Sequence, residues 1–144
     1  VRRRGGVGRV VMKIHRLLSH AEKARLRHLV EAVERETGAE IATLIVRHVD
    51  DVEAFATAYF NHLGIGKREH HNGVLILAVL DRRRVRIEVG RGLDRVLTRA
   101  AAQRIIDEAM APAFRVGRYG EGLIQGVQAV GALIRAAHAG AGKA

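Results

Sequence analysis

The feature that most constrains the fold is a pair of unlike strands in the middle of the chain. Residues 74–80 form an unbroken apolar run, which is too short to span a membrane and is typical of a strand buried on both faces. Residues 84–89 instead alternate between polar and apolar side chains, as expected for a half-buried strand. Only residues 81–83 separate the two runs, so the sequence predicts a hairpin whose first strand is central.

Helical patterns surround this hairpin, and residues 41–46 form a second apolar run that predicts another buried strand. Helices are expected between Ser19 and Gly38, between Asp50 or Asp51 and Gly64, between Thr98 and Pro112, and from about Tyr119 to Ala137. The order αβαββαα predicts an α/β fold, a three-layer α/β/α sandwich with a small mixed β-sheet. In it, strand 73–81 pairs antiparallel with 84–90 and parallel with 41–49.

Two details of the third helix follow from single residues. Pro112 is the only proline of the chain and is expected to end the helix. Phe114 and Val116 are then expected to tuck the following linker against the core, and Gly117 makes the turn into the last helix.

Composition narrows the classes of function. The 144 residues are 48% hydrophobic and suit one domain, expected over residues 14–138, with flexible segments at 1–13 and 139–144. The absence of cysteine excludes disulfides, thiol nucleophiles and thiolate metal sites. The net charge of +10 would attract anionic ligands, and two interpretations stay open: a surface that binds anions, or an arginine-rich composition spread over a solvated surface, since arginines recur in every segment. Aromatic residues are only 3% of the chain and offer few stacking surfaces, so specific nucleic-acid binding is not expected.

No apolar run is long enough for a membrane span. The chain is interpreted as a soluble monomer that is cytoplasmic as given. It would be exported or membrane-anchored if a signal or anchor lies outside the sequence.

The residues around the hairpin resemble a known family over roughly residues 14–138. They are Asn72-Gly73-Val74-Leu75, then Val85-Arg86-Ile87-Glu88-Val89-Gly90-Arg91-Gly92-Leu93, then Val96-Leu97-Thr98, with Pro112, Phe114 and Gly117-Arg118-Tyr119 further along. This pattern is similar to the TPM domain family, which includes thylakoid-lumen proteins of photosystem II repair reported as acid phosphatases and many bacterial proteins of unknown role. The resemblance implies an α/β/α sandwich and a possible phosphatase activity.

The chain departs from the family pattern at two positions that look fit to bind a cation. The family commonly has an acidic residue before the Asn-Gly pair and another after the Leu-Thr pair, whereas this chain has His71 and Arg99. Asp94 is an acidic residue retained nearby, and Glu88 and Asp81 are further candidates. Because a hard cation needs several oxygen ligands, no cofactor is expected, with weakly bound Ca²⁺ or Mg²⁺ as the alternative. His70, His71 and Asp94 are the weak candidates for metal ligands.

One end of the sheet is predicted to carry the functional site, because strand 73–81 begins there and strand 84–90 ends there. The helix that follows Thr98 also directs its N-terminal N–H groups toward this end. The candidate ligand-binding residues are His71, Asn72, Gly90, Arg91, Gly92, Asp94 and Arg99. Two interpretations of Gly90-Arg91-Gly92 stay open: a phosphate cradle, or a tight loop required by geometry alone.

Two functions follow from this site. The favoured one is a binding or assembly module whose cleft holds a small anionic ligand or a segment of a protein partner. The alternative is a phosphomonoester hydrolase with a divergent metal site, for which Asp94 is the candidate catalytic residue. A Ser-His-Asp triad is not expected, because Ser19 is the only serine and is better used as a helix cap.

Overall fold

The computed structural model describes residues 17–66 and 70–142. Its sheet has three strands in the order β1-β2-β3, with β1 at Glu40–Val46, β2 at Gly73–Val79 and β3 at Arg84–Val89. β2 is central, pairing parallel with β1 and antiparallel with β3. The predicted hairpin, strand order and strand directions are therefore confirmed.

Side-chain caps delimit the first two helices, α1 (His20–Thr37) and α2 (Val52–Leu63). The Ser19 hydroxyl accepts the Glu22 N–H at 3.0 Å, and the Glu22 carboxylate accepts the Ser19 N–H at 2.9 Å, which completes a capping box. Asp51, rather than Asp50, caps α2 by accepting the Ala54 N–H at 3.0 Å. Both helices end at a glycine in the left-handed region, as predicted.

The sheet lies between two layers of helices because β2 is apolar on both faces. Val74, Ile76 and Ala78 belong to a core shared with α1 and the C-terminal helices. Leu75, Leu77 and Val79 point the other way and join Phe55 of α2 in a second core. All seven residues of β2 are buried, and the three-layer sandwich expected from the sequence is confirmed.

The helix that follows Thr98 does not end at Pro112. It runs through α3 (Arg99–Ile105), a π-helical turn (Ile106–Met110) and α4 (Ala111–Arg115). Pro112 lies in the first turn of α4, just after the wide π turn, where its missing N–H and its ring are tolerated. The expected burial of Val116 is also wrong, because its side chain is 69% exposed. Phe114 does pack against the core, and Gly117 makes the turn with φ +78°.

The last helix, α5 (Tyr119–Gly142), extends beyond the predicted end at Ala137. Its glycines allow close approach of neighbouring helices: a Cβ at Gly126 would lie 2.7 Å from the Met110 sulfur, and one at Gly131 would lie 2.9 Å from Val33. Of the predicted flexible ends, residues 1–13, 143 and 144 lie outside the described residues. In the described part of the chain, no helix has the length and apolar character needed to cross a membrane.

Candidate functional site

The predicted site begins where the loop after β3 packs on the backbone that precedes β2. The Gly90 N–H donates to the Gly73 carbonyl at 2.8 Å, and the Gly92 N–H donates to the His71 carbonyl at 2.9 Å. A Cβ on Gly90 would overlap the His71 carbonyl oxygen, and one on Gly92 would overlap that of His70. Close backbone approach therefore accounts for both glycines, which supports the tight-loop interpretation.

The same loop uses its own N–H groups internally. Arg91–Leu93 form a short 3₁₀ helix. The Leu93 N–H donates to the Gly90 carbonyl at 2.9 Å, and the Asp94 N–H donates to the Arg91 carbonyl at 3.3 Å. With Gly92 also engaged, these amides are not available to cradle a phosphate. An anion at this end of the sheet would depend on the arginine side chains instead.

Asp94 and Arg99 line an open groove of about 270 Å³ between β3 and α3. This edge groove is defined by residues 84–89 of β3 on one side and by Arg99, Ala102, Gln103 and Ile106 on the other, with Asp94 at its margin. Thr98 fixes the start of α3, because its hydroxyl accepts the Ala101 N–H at 3.1 Å. The structure thus brings Asp94 and Arg99 together in one groove.

The other predicted residues do not line the edge groove. His71, Asn72, Gly90 and Gly92 belong to the neighbouring backbone junction, where the Asn72 carbonyl also accepts the Glu40 N–H at 3.1 Å. Arg91 is exposed on the 3₁₀ helix. The ligand-binding role of all seven residues stays a prediction.

Two of the three arginines in the edge groove already have acidic partners. Arg84 pairs with Glu53 of α2, and Arg86 pairs with Glu88 at 3.2 Å. Hydrogen bonding from Arg84 holds the pKa of Glu53 below its usual value. Between residues 17–66 and 70–142, Arg99 has no ion pair or side-chain hydrogen bond, so its guanidinium is the one left for a ligand.

The polar face of β3 is more enclosed than its alternating pattern indicates. Glu88 has a side chain that is only 17% exposed, and it accepts a hydrogen bond from the Thr57 hydroxyl of α2 at 3.1 Å. Helix α2 therefore covers this face and supplies polar partners for it. The periodicity shows that one face of the strand is polar but not which element lies over it.

A polar cluster that the sequence did not predict lies at the opposite end of the sheet, where β1 and β2 end. His48 Nδ1 is 2.6 Å from Asp81 Oδ2, and His48 Nε2 is 2.9 Å from Asp50 Oδ1. The hydrogen bond to Asp50 is the largest cause that raises the pKa of His48, and the hydrogen bond to Asp81 is the second. Since both ring nitrogens are engaged, His48 links the β1–α2 loop to the hairpin turn and is not a free catalytic base.

The cluster has one signal in the sequence: His48 and Asp81 each lie two residues after the end of one of the two neighbouring parallel strands. Its position also separates His48 from His70 and His71, which precede β2 at the other end. His48 therefore does not share a site with His70 and His71.

The residues at the predicted site do not fit a hard cation. Across the described ranges, no three His, Cys, Asp or Glu side chains are grouped so that they could hold a metal ion. His71 is exposed with φ +49°, and Arg99 places a guanidinium in the same groove as Asp94. A single carboxylate beside a cation lacks the oxygen ligands that Ca²⁺ or Mg²⁺ requires. Asp94 by itself therefore does not supply the ligand set of a Ca²⁺ or Mg²⁺ site.

The fold and the motif around the hairpin define an α/β/α domain of a known class. The TPM domain profile matches residues 11–133, and the chain belongs to this family. Three solved structures are similar to it: the N-terminal domain of a protein from P. gingivalis, the BA42 protein from Bizionia argentinensis and the N-terminal domain of the cg2496 protein from Corynebacterium glutamicum. A comparison with curated proteins finds no match.

These three structures differ in sequence identity and therefore in what they show about this chain. The P. gingivalis domain is 32% identical, with a TM-score of 0.79, over 94% of this chain and 87% of that chain. The BA42 protein is 24% identical, with a TM-score of 0.71 and coverages of 85% and 84%. The Corynebacterium domain is 14% identical, with a TM-score of 0.61 and coverages of 80% and 72%. The last two support the fold alone.

Proposed function

We propose that this chain is a binding module whose edge groove holds an anion at Arg99. The observation that carries the proposal is the state of the arginines in the groove. Arg84 and Arg86 have acidic partners, whereas Arg99 has none within the described residues. An unpaired guanidinium offers several N–H donors in a planar fork that matches carboxylate or phosphate oxygens.

The surroundings of Arg99 favour a particular kind of anion. Asp94 lines the same groove and, when ionised, only accepts hydrogen bonds. An anion that also carries an O–H group can donate to Asp94 while its other oxygens accept from Arg99. Hydrogen phosphate has such a group and sulfate does not, so the groove is expected to prefer phosphate. The net charge of +10 attracts either anion from a distance.

Calorimetric titration with phosphate tests this proposal. Arg99→Gln removes the charge and is expected to weaken binding by roughly 10- to 100-fold, the range for a hydrogen bond to a charged group. Arg104→Gln is the matched control, because Arg104 is exposed on the same helix and does not line the edge groove. If both variants weaken phosphate binding equally, binding depends only on the overall charge of the chain, and the proposal is refuted.

A second titration separates the role of Asp94 from that of Arg99. The unmodified chain is expected to bind phosphate more tightly than sulfate, and Asp94→Asn is expected to abolish this preference. If sulfate binds as tightly as phosphate before the substitution, Asp94 does not face the anion.

The alternative function is phosphomonoester hydrolysis with Asp94 as the catalytic residue. It is favoured by the position of this carboxylate in the edge groove with Arg99, where a phosphate ester would bind in the same way as phosphate. Turnover of a generic phosphoester is measured with and without divalent metal, in the unmodified chain and in Asp94→Asn. A binding module gives no turnover above that of the variant. Turnover that Asp94→Asn abolishes would replace the module by a hydrolase.

A further inference from the structure

The outer edge of β3 carries unpaired backbone groups. The Gly90 N–H donates to the Gly73 carbonyl, and residue pairs in an antiparallel ladder alternate between bonded and non-bonded. Residues 84, 86 and 88 therefore direct their N–H and C=O groups toward β2. Those of Val85, Ile87 and Val89 point away from the sheet, where β3 is the last strand. Over residues 17–66 and 70–142, no backbone hydrogen bond reaches these outward groups.

A continuous groove follows this outer edge. The edge groove continues into a second cavity of about 650 Å³, and the two share Arg84, Val85, Gln103 and Ile106. The π-helical turn and α4 form the far wall of the second cavity. Its apolar lining includes Val85, Ile106, Ala111, Phe114 and Tyr119. An extended segment lying along β3 would direct every second side chain toward this apolar lining.

The charged side chains along the groove are mainly basic. Five arginines line the two cavities, against the carboxylates of Glu88, Asp94 and Asp107. Glu88 is paired with Arg86, and Asp107 accepts a hydrogen bond from Gln103 at 3.0 Å. Of these five arginines, Arg83, Arg99 and Arg115 have no ion pair with any residue in the described part of the chain.

We infer that the outer edge of β3 docks an extended acidic segment of a partner protein, which adds a fourth strand to the sheet. Main-chain hydrogen bonds to Val85, Ile87 and Val89 would hold the segment. Apolar side chains on one face would enter the groove, and carboxylates would contact the arginines. This inference specifies the class of partner that the proposed binding module would hold. It rests on the proposed function only where the segment contacts Arg99.

A second copy of this chain is the alternative occupant. Antiparallel pairing of two β3 strands about Ile87 would place Arg86 of one copy opposite Glu88 of the other. However, α3 stands opposite β3 across the edge groove in each copy. A single extended segment needs less room between these walls than a second folded domain, which would bring its own α3 against the first. The geometry therefore favours a partner segment.

The test uses a capped heptapeptide of alternating Glu and Val and its counterpart of alternating Lys and Val. Each is titrated into the ¹⁵N-labelled chain, and the amide shifts and hydrogen exchange are followed. The Glu peptide is expected to shift the amides of Val85, Ile87 and Val89 and to slow their exchange at least tenfold, because they become hydrogen-bonded. The Lys peptide is expected to leave them unchanged. Equal responses to both peptides, or slowed exchange that grows with protein concentration alone, would overturn the inference.

One variant tests the main-chain hydrogen bonds of strand addition, and a second tests the contacts with the arginines. Val85→Pro removes an outward N–H without removing a bond to β2 or changing any charge, and is expected to weaken binding of the Glu peptide at least tenfold. The double variant Arg83→Glu, Arg115→Glu changes exposed side chains and decides the matter if Val85→Pro does not fold. It is expected to weaken binding of the Glu peptide at least tenfold, whereas the control Arg104→Glu is expected to leave this binding unchanged.

The outcomes distinguish this inference from the proposed function. If phosphate binds at Arg99 and the Glu peptide does not change the exchange at β3, the docking inference fails and the anion site stands. If phosphate does not bind and the peptide still pairs with β3, the anion site fails alone. Loss of both responses refutes both proposals.

Discussion

Leu77→Ala tests the position of β2 at the centre of the fold. Leu77 is 0% exposed and belongs to the core between the sheet and α2, together with Leu44 and Phe55. The substitution removes three carbon atoms, which corresponds to about 2.4 kcal/mol of lost transfer free energy. The remaining cavity adds to this loss because a close-packed sheet relaxes only in part. We expect the free energy of unfolding to fall by about 3–4 kcal/mol, within the usual range for buried leucine.

The measurement is urea unfolding followed by circular dichroism, with Leu133→Ala as the matched control. Leu133 lies on α5 and is 36% exposed, so the same atoms are removed from a site in contact with water. Alanine is also the better helix former, and the control is expected to lose less than about 1 kcal/mol. Equal losses in the two variants would refute the placement of Leu77 in the core.

Two further predictions concern the junction beside β2 and the His48 cluster. Gly92→Ala is expected to lower the free energy of unfolding by about 1–3 kcal/mol, because its Cβ would overlap the His70 carbonyl. Gly140→Ala, which meets open space on α5, is expected to raise it by up to about 1 kcal/mol in the same urea assay. The pKa of His48 is raised by its carboxylate partners, so the stability from this cluster is full below the ordinary histidine pKa and is lost as pH rises through the raised value. In an NMR titration, Asp81→Asn should lower the pKa of His48, and an unchanged value would contradict the cluster.

The strands were predictable because each reads directly from its side-chain pattern. Residues 74–79 are apolar at every position because both faces of β2 pack into apolar cores, while β3 alternates because α2 supplies polar partners to one of its faces. The path of the chain at Pro112 was not predictable in the same way. A proline ends an isolated helix, but the π turn and the packing of Met110 and Phe114 against α5 keep the chain helical. That compensation depends on tertiary contacts.

The candidate site was predictable only in part, for a similar reason. The sequence places Asp94 and Arg99 near the end of β3, and the structure adds that they line one groove. The sequence does not reveal that Arg84 already has a partner, because Glu53 reaches it only through the packing of α2 on β3, whereas Arg86 and Glu88 are two residues apart on one face of the strand. The contact of His48 with Asp81 likewise depends on the register between β1 and β2.

The central claim is that an anion binds in the edge groove at Arg99. Backbone amide NMR of the ¹⁵N-labelled chain, titrated with phosphate and separately with Ca²⁺, tests it most directly. We expect saturable phosphate shifts centred on Asp94, Arg99 and the first turn of α3, which are lost in Arg99→Gln, and no saturable response to Ca²⁺. Saturable Ca²⁺ shifts at Asp94, with none from phosphate, would contradict the claim and favour a metal-dependent hydrolase.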